Sequence, residues 1–410
     1  MGGTGLGGIG GSGSGIGLGA GSTGGNGSGF DIADRLPATA RRETAQGCRR
    51  RPGEGFGAMV RLRRADCSAP GIRRRKVGRG FAYYDASGAR VTDPEVLDRI
   101  KALVIPPAWT DVWICSDGRG HIQALGTDAR GRRQYRYHDV WRLRRDREKF
   151  DHMLEFARAL PKLRHNIAEH LQEDGLTRER VLACATRLLD LGFFRIGTEG
   201  YAEENQTFGL ATMHKRHVKL DGNTITFDYV AKGGKRRIHS VVDPDVFAVV
   251  EALKRRRGGK PELLAWKRGS TWVDVRSADI NAYIKEATGG DFSAKDFRTW
   301  NATVFAAVAL AVSTGATSPT ARKRAISRAM QEVAHYLGNT PAVCRASYVD
   351  PRIVDRYRAD TTVQAALVRA GEPALGADED ARSAMFTQGA VELAVLELLE
   401  DAPEAAEGAA

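Results

Sequence analysis

Near residue 146 the apolar residues of this chain change their spacing, and that change limits the possible folds more than any other feature. Upstream, "GFAYYDASGARVTD" (80–93) alternates aromatic and polar residues around a Ser-Gly turn, the period-two pattern of a hairpin. "DVWICSDGRGHIQALGTDARGRRQYRYHD" (111–139) extends the pattern as strand, Asp-Gly turn, strand, Gly turn, strand. Between 65 and 80, "ADCSAPGIRRRKVGRG" reads as a basic loop. Downstream, "REKFDHMLEFARALPKLRHNIAEHL" (147–171) and "TRERVLACATRLLDLGFF" (177–194) space their apolar residues at three and four, which lines up one face of a helix. Strands return in "HVKLDGNTITFDYVAKGGKRRIHSVV" (217–242), with Asp-Gly-Asn and Lys-Gly-Gly-Lys turns. Helices resume at Pro244 and run to about Ala370.

The expected fold class is therefore α+β. A small antiparallel β domain precedes a larger, mainly α-helical domain that carries a β-hairpin insertion. The expected limits are 1–56 for a Gly-rich and then basic arm, 57–145 for the β domain, 146–370 for the helical domain and 371–410 for an acidic tail with a helix. Residues 1–30 carry no charge and are rich in Gly, Ser and Thr. Such a segment buries too little surface to offset its ordering entropy, so disorder is expected. Its GxGxxG matches carry no meaning, because no strand precedes them and no helix follows.

The formal net charge is +12 and the pI about 9.6, an excess that points to a polyanionic partner, above all nucleic acid. The charge is uneven. Residues 376–410 hold nine acidic side chains and one basic one, leaving +20 on the rest. The amphipathic helix "GAVELAVLELLED" in that tail is expected to fold back on the basic surface or compete with DNA for it. Its alternative use is to cap the helical domain with its apolar face. The five cysteines, Cys48, Cys67, Cys115, Cys184 and Cys344, form no CxxC pair, which suits a reducing cytoplasm and excludes a multi-thiolate zinc site. No window reaches the ~20 apolar residues of a membrane span. No basic start followed by an apolar core marks a secretory leader. A cytoplasmic, nucleoid-associated protein is expected.

Chemistry centres on "GNTPAVCRASYVDP" (338–351). A free phenol has a pKa near 10 and attacks little at neutral pH, so Tyr348 needs cationic neighbours to act as a nucleophile. Four segments offer partners. In "LGFFRIGTEGY", Arg195 follows an apolar helix end, and an arginine in such company needs an anionic partner. In "VAKGGKRRIHS", Lys232 sits at a hairpin tip with Lys235, Arg236 and Arg237 close behind. In "AKDFRTWNATV", Arg298 lies where a loop meets an apolar helix. Asn339 stands nine residues before Tyr348, beside a glycine turn. Taken singly, each reads equally as a salt bridge, a solvated turn or a packed aromatic.

The order Arg195, hairpin Lys232, Lys295-x-x-Arg298, Gly338-Asn339 and Tyr348 resembles the catalytic domain shared by type IB DNA topoisomerases and tyrosine recombinases. Lys295-Asp296-Phe297-Arg298 is similar to the topoisomerase branch, where recombinases carry His-x-x-Arg. "GRRQYRYHD" (131–139) resembles the DNA-contacting segment in the N-terminal domain of the small bacterial and poxvirus-like enzymes. "TEGYAEENQTFGLATMHKRHV" (198–218) resembles the stretch after their first catalytic arginine. The resemblance spans about 57–365. At Asn339 poxviral and eukaryotic members carry histidine, and bacterial-type members carry asparagine.

The resemblance implies relaxation of supercoiled double-stranded DNA, without ATP, metal or cofactor, by a monomer whose two domains clamp the duplex. Tyr348 would form a 3′-phosphotyrosyl link. Arg195, Arg298 and Asn339 would bind the non-bridging oxygens, and Lys232 would protonate the departing 5′-oxygen. Asparagine keeps a neutral donor but carries no proton, so Asn339 is assigned a stabilising role. Arg132, Arg133, Gln134, Tyr135 and Tyr137 would contact DNA, with Gln134 at a base edge and the tyrosines at phosphates. Tyr201, Asn205 and His217 resemble further contact positions. The alternative is a tyrosine recombinase, which needs synapsis of two defined sites.

Overall fold

The computed structural model describes residues 61–192, 194–200, 202, 206–313, 315–371 and 389–400. The Gly-rich and basic arm, Tyr201, Asn205 and most of the acidic tail lie outside the described residues. The first part is a five-stranded antiparallel sheet in the order β2-β1-β3-β4-β5. Its strands are β1 (Ile72–Val77), β2 (Gly80–Tyr84), β3 (Thr110–Ile114), β4 (Ile122–Thr127) and β5 (Arg133–Tyr137). One helix, α1 (Pro94–Ala102), lies between β2 and β3 in the chain. Ile72, Val112, Ile114 and Ala124 of the sheet form a small core with Ile100 of α1.

Two expectations need correction here. The basic stretch 65–80 is not a loop: β1 runs through its arginines and pairs with β2, Arg75 opposite Ala82. The arm after the Ser-Gly turn is not a strand, because only Arg90 bridges back to Tyr84. The reason is burial. Ile72 gives β1 an inward anchor at 5% exposure, whereas 85–90 are exposed and have nothing to cover.

The second part opens with α2 (Asp139–Leu171), a helix of 33 residues that runs across 145/146 without a break. It begins at Asp139 because the His138 ring accepts the Val140 N–H as a cap. The chain continues through α3 (Arg178–Gly192), a three-stranded antiparallel sheet, α4 (Pro244–Arg255), a hairpin, and α5 (Ser277–Thr288). That sheet comprises β6 (Val218–Asp221), β7 (Thr224–Ala231) and β8 (Lys235–Val242). The hairpin joins β9 (Ala265–Arg268) to β10 (Thr271–Asp274) and interrupts the expected helical run; Gly269, at φ +57°, makes its turn. Then follow α6 (Ala294–Ala311), α7 (Pro319–Leu337), α8 (Pro341–Ser347), α9 (Pro351–Arg358), α10 (Gln364–Gly371) and α11 (Ala390–Glu400). No helix among the described residues is long and apolar enough to cross a membrane.

Helix starts follow one chemical rule. Asp93, Asp243, Ser318, Thr340 and Asp350 each accept a backbone N–H of the first turn, and each is followed by proline. The side chain satisfies an otherwise orphaned donor, and proline at the first position has no N–H to satisfy. Buried almost all round, α3 and α6 form the centre of the helical core. Arg195 follows the end of α3, and Arg298 lies in the second turn of α6.

The acidic C-terminal helix belongs to this core. Val391, Val395 and Leu399 of α11 are at most 1% exposed. Glu392 accepts bonds from Arg164 at 2.5 and 3.0 Å and from the Trp300 indole at 3.1 Å. Arg164 also grips Asp190 of α3, twice at 2.9 Å. Burial opposes the Arg164 charge, but Glu392 and Asp190 hold its pKa above the ordinary value. The helix therefore caps the helical core by its apolar face, and its Glu392 and Glu400 are engaged with Arg164 and Arg158. The expected competition with DNA draws no support from these contacts.

Each of those three apolar side chains contributes roughly 1.5–3 kcal/mol by burial. Breaking the buried Arg164–Glu392 pair costs on the order of 3–5 kcal/mol. Deleting 389–410 is therefore expected to lower the thermal midpoint by many degrees and to shift the denaturant midpoint, while Glu400→Ala, at an exposed pair, changes stability by less than about 1 kcal/mol. A truncated protein as stable as the full chain would show that α11 is not part of the core.

Candidate active site

Four side chains from three separate segments converge at the ends of α3, α6 and α7. Tyr348 follows α8 directly, and its N–H donates to the Cys344 carbonyl at 2.9 Å. Its own carbonyl accepts from Thr303 Oγ1 of α6 at 3.2 Å, and Thr303 Oγ1 in turn accepts the Asp350 N–H at 3.2 Å. Lys149 of α2 donates to the Ser347 carbonyl at 3.3 Å. The backbone that carries the phenol is thus fixed from two sides.

Arg195 is held by a close backbone approach. Its carbonyl accepts from Leu210 N–H at 2.9 Å, and the Ile196 carbonyl accepts from Ala211 N–H at 2.7 Å. Gly197, at φ +77°, lies against Gly209, and a Cβ on Gly209 would stand 2.5 Å from Gly197 Cα and 2.8 Å from the Arg195 oxygen. Phe194, 1% exposed, packs edge-on to Phe227 with centroids 4.9 Å apart. From this base Arg195 Nη2 donates to Asn339 Oδ1 at 2.5 Å. Arg298, 6% exposed, donates from Nη2 to the Leu337 carbonyl at 2.9 Å, and its guanidinium carbon lies 5.4 Å from the centre of the Tyr348 ring.

The electrostatics follow from that packing. Burial pushes the Tyr348 phenol up, but the charges of Arg298 and Arg195, and hydrogen bonds from both, outweigh it and bring its pKa below the ordinary value. Arg298 is pulled down to about 10, first by burial and then by the Arg195 charge beside it. His239 of β8 is pushed to about 4 by burial and by Arg237, Arg298 and His335, so it adds no charge at neutral pH. Asn339 Nδ2 is buried without a hydrogen-bond partner. With Oδ1 occupied by Arg195, the amide presents donors only. The cluster has one phenol, two fixed guanidiniums and one open amide donor, which is the equipment for binding an anionic, oxygen-rich centre beside a nucleophile.

The other expected residues fall elsewhere. Lys232 is exposed on the β7–β8 turn with Gly233 and Gly234, both at positive φ. On β5 the alternation divides the expected DNA-contacting group. Arg133, Tyr135 and Tyr137 face outward, and the two tyrosine rings stack with centroids 6.1 Å apart. Gln134 turns to the other face and donates to Asp128 at 3.0 Å, and Arg132 grips the same carboxylate at 2.7 Å. Gln134 therefore does not share a face with the tyrosines, as a base-reading partner on one surface would. His217 is half-buried, parallel to the His214 ring at 5.2 Å and next to Phe208 at 4.5 Å, and burial first, then His214 and Arg216, push it to about 4. Sequence reasoning missed Thr303, the Gly197–Gly209 contact, and the inward turn of Arg237 and His239. Counting back by twos from the apolar Val241 would have put Arg237 and His239 on its face.

Comparison with known proteins bears on this arrangement. Residues 138–367 match the model of the eukaryotic DNA topoisomerase I catalytic core, and residues 80–128 match that of the bacterial DNA topoisomerase IB N-terminal domain. The chain is 31% identical over 294 residues to DNA topoisomerase 1B of Acanthamoeba polyphaga mimivirus, covering 70% of this chain and 88% of the relative. It is 22% identical over 269 residues to DNA topoisomerase 1B of Vaccinia virus (strain Copenhagen), covering 64% and 82%. To DNA topoisomerase 1 of Schizosaccharomyces pombe it is 31% identical over 160 residues, 38% of this chain and 18% of the relative.

The phenol's titration has a definite sign. As pH rises, Tyr348 is expected to lose its proton before an ordinary tyrosine does, below about 10. An ultraviolet difference titration, wild type minus Tyr348→Phe, should show one phenol ionising below that value, and Arg195→Gln should move its midpoint upward. A midpoint at or above the ordinary value, or one indifferent to Arg195, would contradict the reading.

Proposed function

The chain belongs to the type IB DNA topoisomerases, and on that premise we propose that Tyr348, Arg195, Arg298, Asn339 and Lys232 carry its reaction. The activity is relaxation of supercoiled DNA by cleavage of one strand and religation; the recombinase alternative is not favoured. The observation that supports the residue roles best is the unsatisfied Nδ2 of Asn339 beside two guanidiniums and a phenol of lowered pKa. Leaving a buried donor unpaired costs about 1–3 kcal/mol, a cost removed when a phosphate oxygen takes the bond.

The proposed step balances simply. Tyr348 Oη attacks the phosphorus and releases its proton to solvent water, forming a 3′-phosphotyrosyl bond. The bond from phosphorus to the 5′-oxygen breaks, and that oxygen takes a proton from Lys232. Arg195, Arg298 and the Asn339 amide bind the non-bridging oxygens, where charge builds up. While the nick is open the cut strand rotates; the 5′-hydroxyl then attacks the phosphotyrosine and restores the original bond. One phosphodiester replaces another, so no ATP is consumed.

A Lys232 assignment draws on its place. It stands at an exposed turn with two glycines in left-handed conformations, on a strand pair that packs at the site's edge. Duplex binding we assign to the outward face of β5, with Arg133, Tyr135 and Tyr137, and to the basic β1, with Arg73, Arg75 and Lys76. In this reading the β domain (57–145) and the catalytic domain (146–370) clamp the duplex, and a monomer at the nucleoid suffices for the reaction.

Tyr348→Phe is expected to abolish both relaxation of supercoiled plasmid and the covalent adduct while duplex binding persists; an adduct on another residue would sink the assignment. Relaxation should proceed in EDTA without ATP, and activity that returns only with magnesium would refute the metal-free scheme. Lys232→Ala should slow cleavage of ordinary DNA by at least about 100-fold, as loss of an acid catalyst does. A substrate with a 5′-bridging sulfur, which leaves without protonation, should be cleaved at nearly the wild-type rate. Equal slowing on both substrates would mean that Lys232 only binds phosphate.

A further inference from the structure

The last carbonyls of a helix have no partner within it. In α7 every one is taken, and the way they are taken connects two segments of the site. The Ala334 carbonyl accepts the Asn339 N–H at 3.0 Å. The Leu337 carbonyl accepts from Arg298. The remaining two, His335 and Tyr336, accept from Nη1 and Nη2 of one side chain, Arg237 of β8, the first at 2.7 Å. That fork cradles the turn that follows. Gly338 is at φ +65°, a conformation that favours glycine, and a Cβ there would press on the Arg237 guanidinium carbon at 3.3 Å. The next residue is Asn339, whose Oδ1 receives Arg195.

We propose that Arg237 is a positioning residue: it locks the C-terminal end of α7 to the β7–β8 hairpin and so aims the Asn339 amide at the substrate phosphate. The inference rests on the proposed role of Asn339. Arg237 lies five residues after Lys232 in the same hairpin. Seating of the strand that carries the acid and orientation of the amide are therefore one event. The guanidinium suits the task for two reasons. Its planar fork directs two donors at two adjacent carbonyls in one fixed geometry, whereas the donors of an ammonium rotate freely. Its charge lies at the negative end of the helix dipole. Each Nη directs one N–H at a carbonyl of α7, which fixes the guanidinium in place, and the separately measured DNA affinity tells positioning through Asn339 from direct binding of phosphate.

The test is a double-mutant cycle on Arg237→Gln and Asn339→Ala, read as single-turnover cleavage of a suicide duplex, with duplex affinity measured separately. Arg237→Gln is expected to slow cleavage by on the order of 10–100-fold, as a misplaced catalytic group does, with the dissociation constant for DNA unchanged. The double variant should be no slower than Asn339→Ala alone within about threefold, because the two act as a unit. Arg237→Lys, which keeps the charge and loses the fork, should be slowed to an intermediate degree and provides the reading if the glutamine variant does not fold. Multiplicative losses in the double variant, or full activity of both Arg237 variants, would overturn the proposal. The wild type is the control for the underlying reading. No Tyr348-linked adduct there sinks the site itself, whereas an adduct with multiplicative losses sinks only the role of Arg237.

Discussion

Two guanidiniums held beside one half-buried phenol are the arrangement that the rest of the molecule has to support. Like charges at close range in a partly dry site repel by a few kcal/mol at an effective dielectric near 20. The repulsion is visible in Arg298, which burial and then Arg195 bring down to about 10. Neither arginine can relax away. Arg195 is pinned by the Gly197–Gly209 contact and by Phe194, and Arg298 by its place in α6 and its bond to the Leu337 carbonyl. An anionic group seated between them would turn that repulsion into attraction at two points at once, which is the physical ground for the phosphate-binding role proposed for both arginines.

The surrounding packing explains why the strain is bearable. Both α3 and α6 are buried almost all round, and each is tied to α11 through Glu392: to Trp300 of α6 directly, and to Asp190 of α3 through Arg164. Trp300 lies two residues after Arg298, and Asp190 five before Arg195. The same carboxylate thus braces both helices that deliver the arginines. Thr303 does a similar service for Tyr348, accepting the Asp350 N–H and donating to the Tyr348 carbonyl.

Much of this was legible in the sequence wherever chemistry is local. The Gly-Asn turn and the alternation of 111–139 are each decided by neighbours in the chain. Tyr348, Arg195 and Arg298 were singled out by the order of separated motifs along the chain, since each alone is ambiguous. What stayed hidden depends on distant residues. β1 was concealed by four consecutive basic residues, since only Ile72 reaches the core. Gly197 and Gly209 approach each other across a fold whose need for two glycines leaves no local trace. Arg164 and Glu392 are 228 residues apart. On β8 the exposed Ile238 and the inward Arg237 and His239 invert the usual sense of a strand, so polarity alone misdirects.

The long helix α2 has a mechanical meaning. At 1.5 Å per residue its 33 residues make a rod of about 50 Å. It begins directly after β5, whose tyrosines face outward, and its first third sends Lys149 to the carbonyl next to Tyr348. Pro161 interrupts the hydrogen-bond ladder only in the far half, so the stretch from Asp139 to Lys149 is the part that transmits displacement instead of absorbing it. A displacement of β5 is therefore felt, eleven residues along the same helix, at the backbone that carries Tyr348, so the sheet and the phenol share one mechanical element.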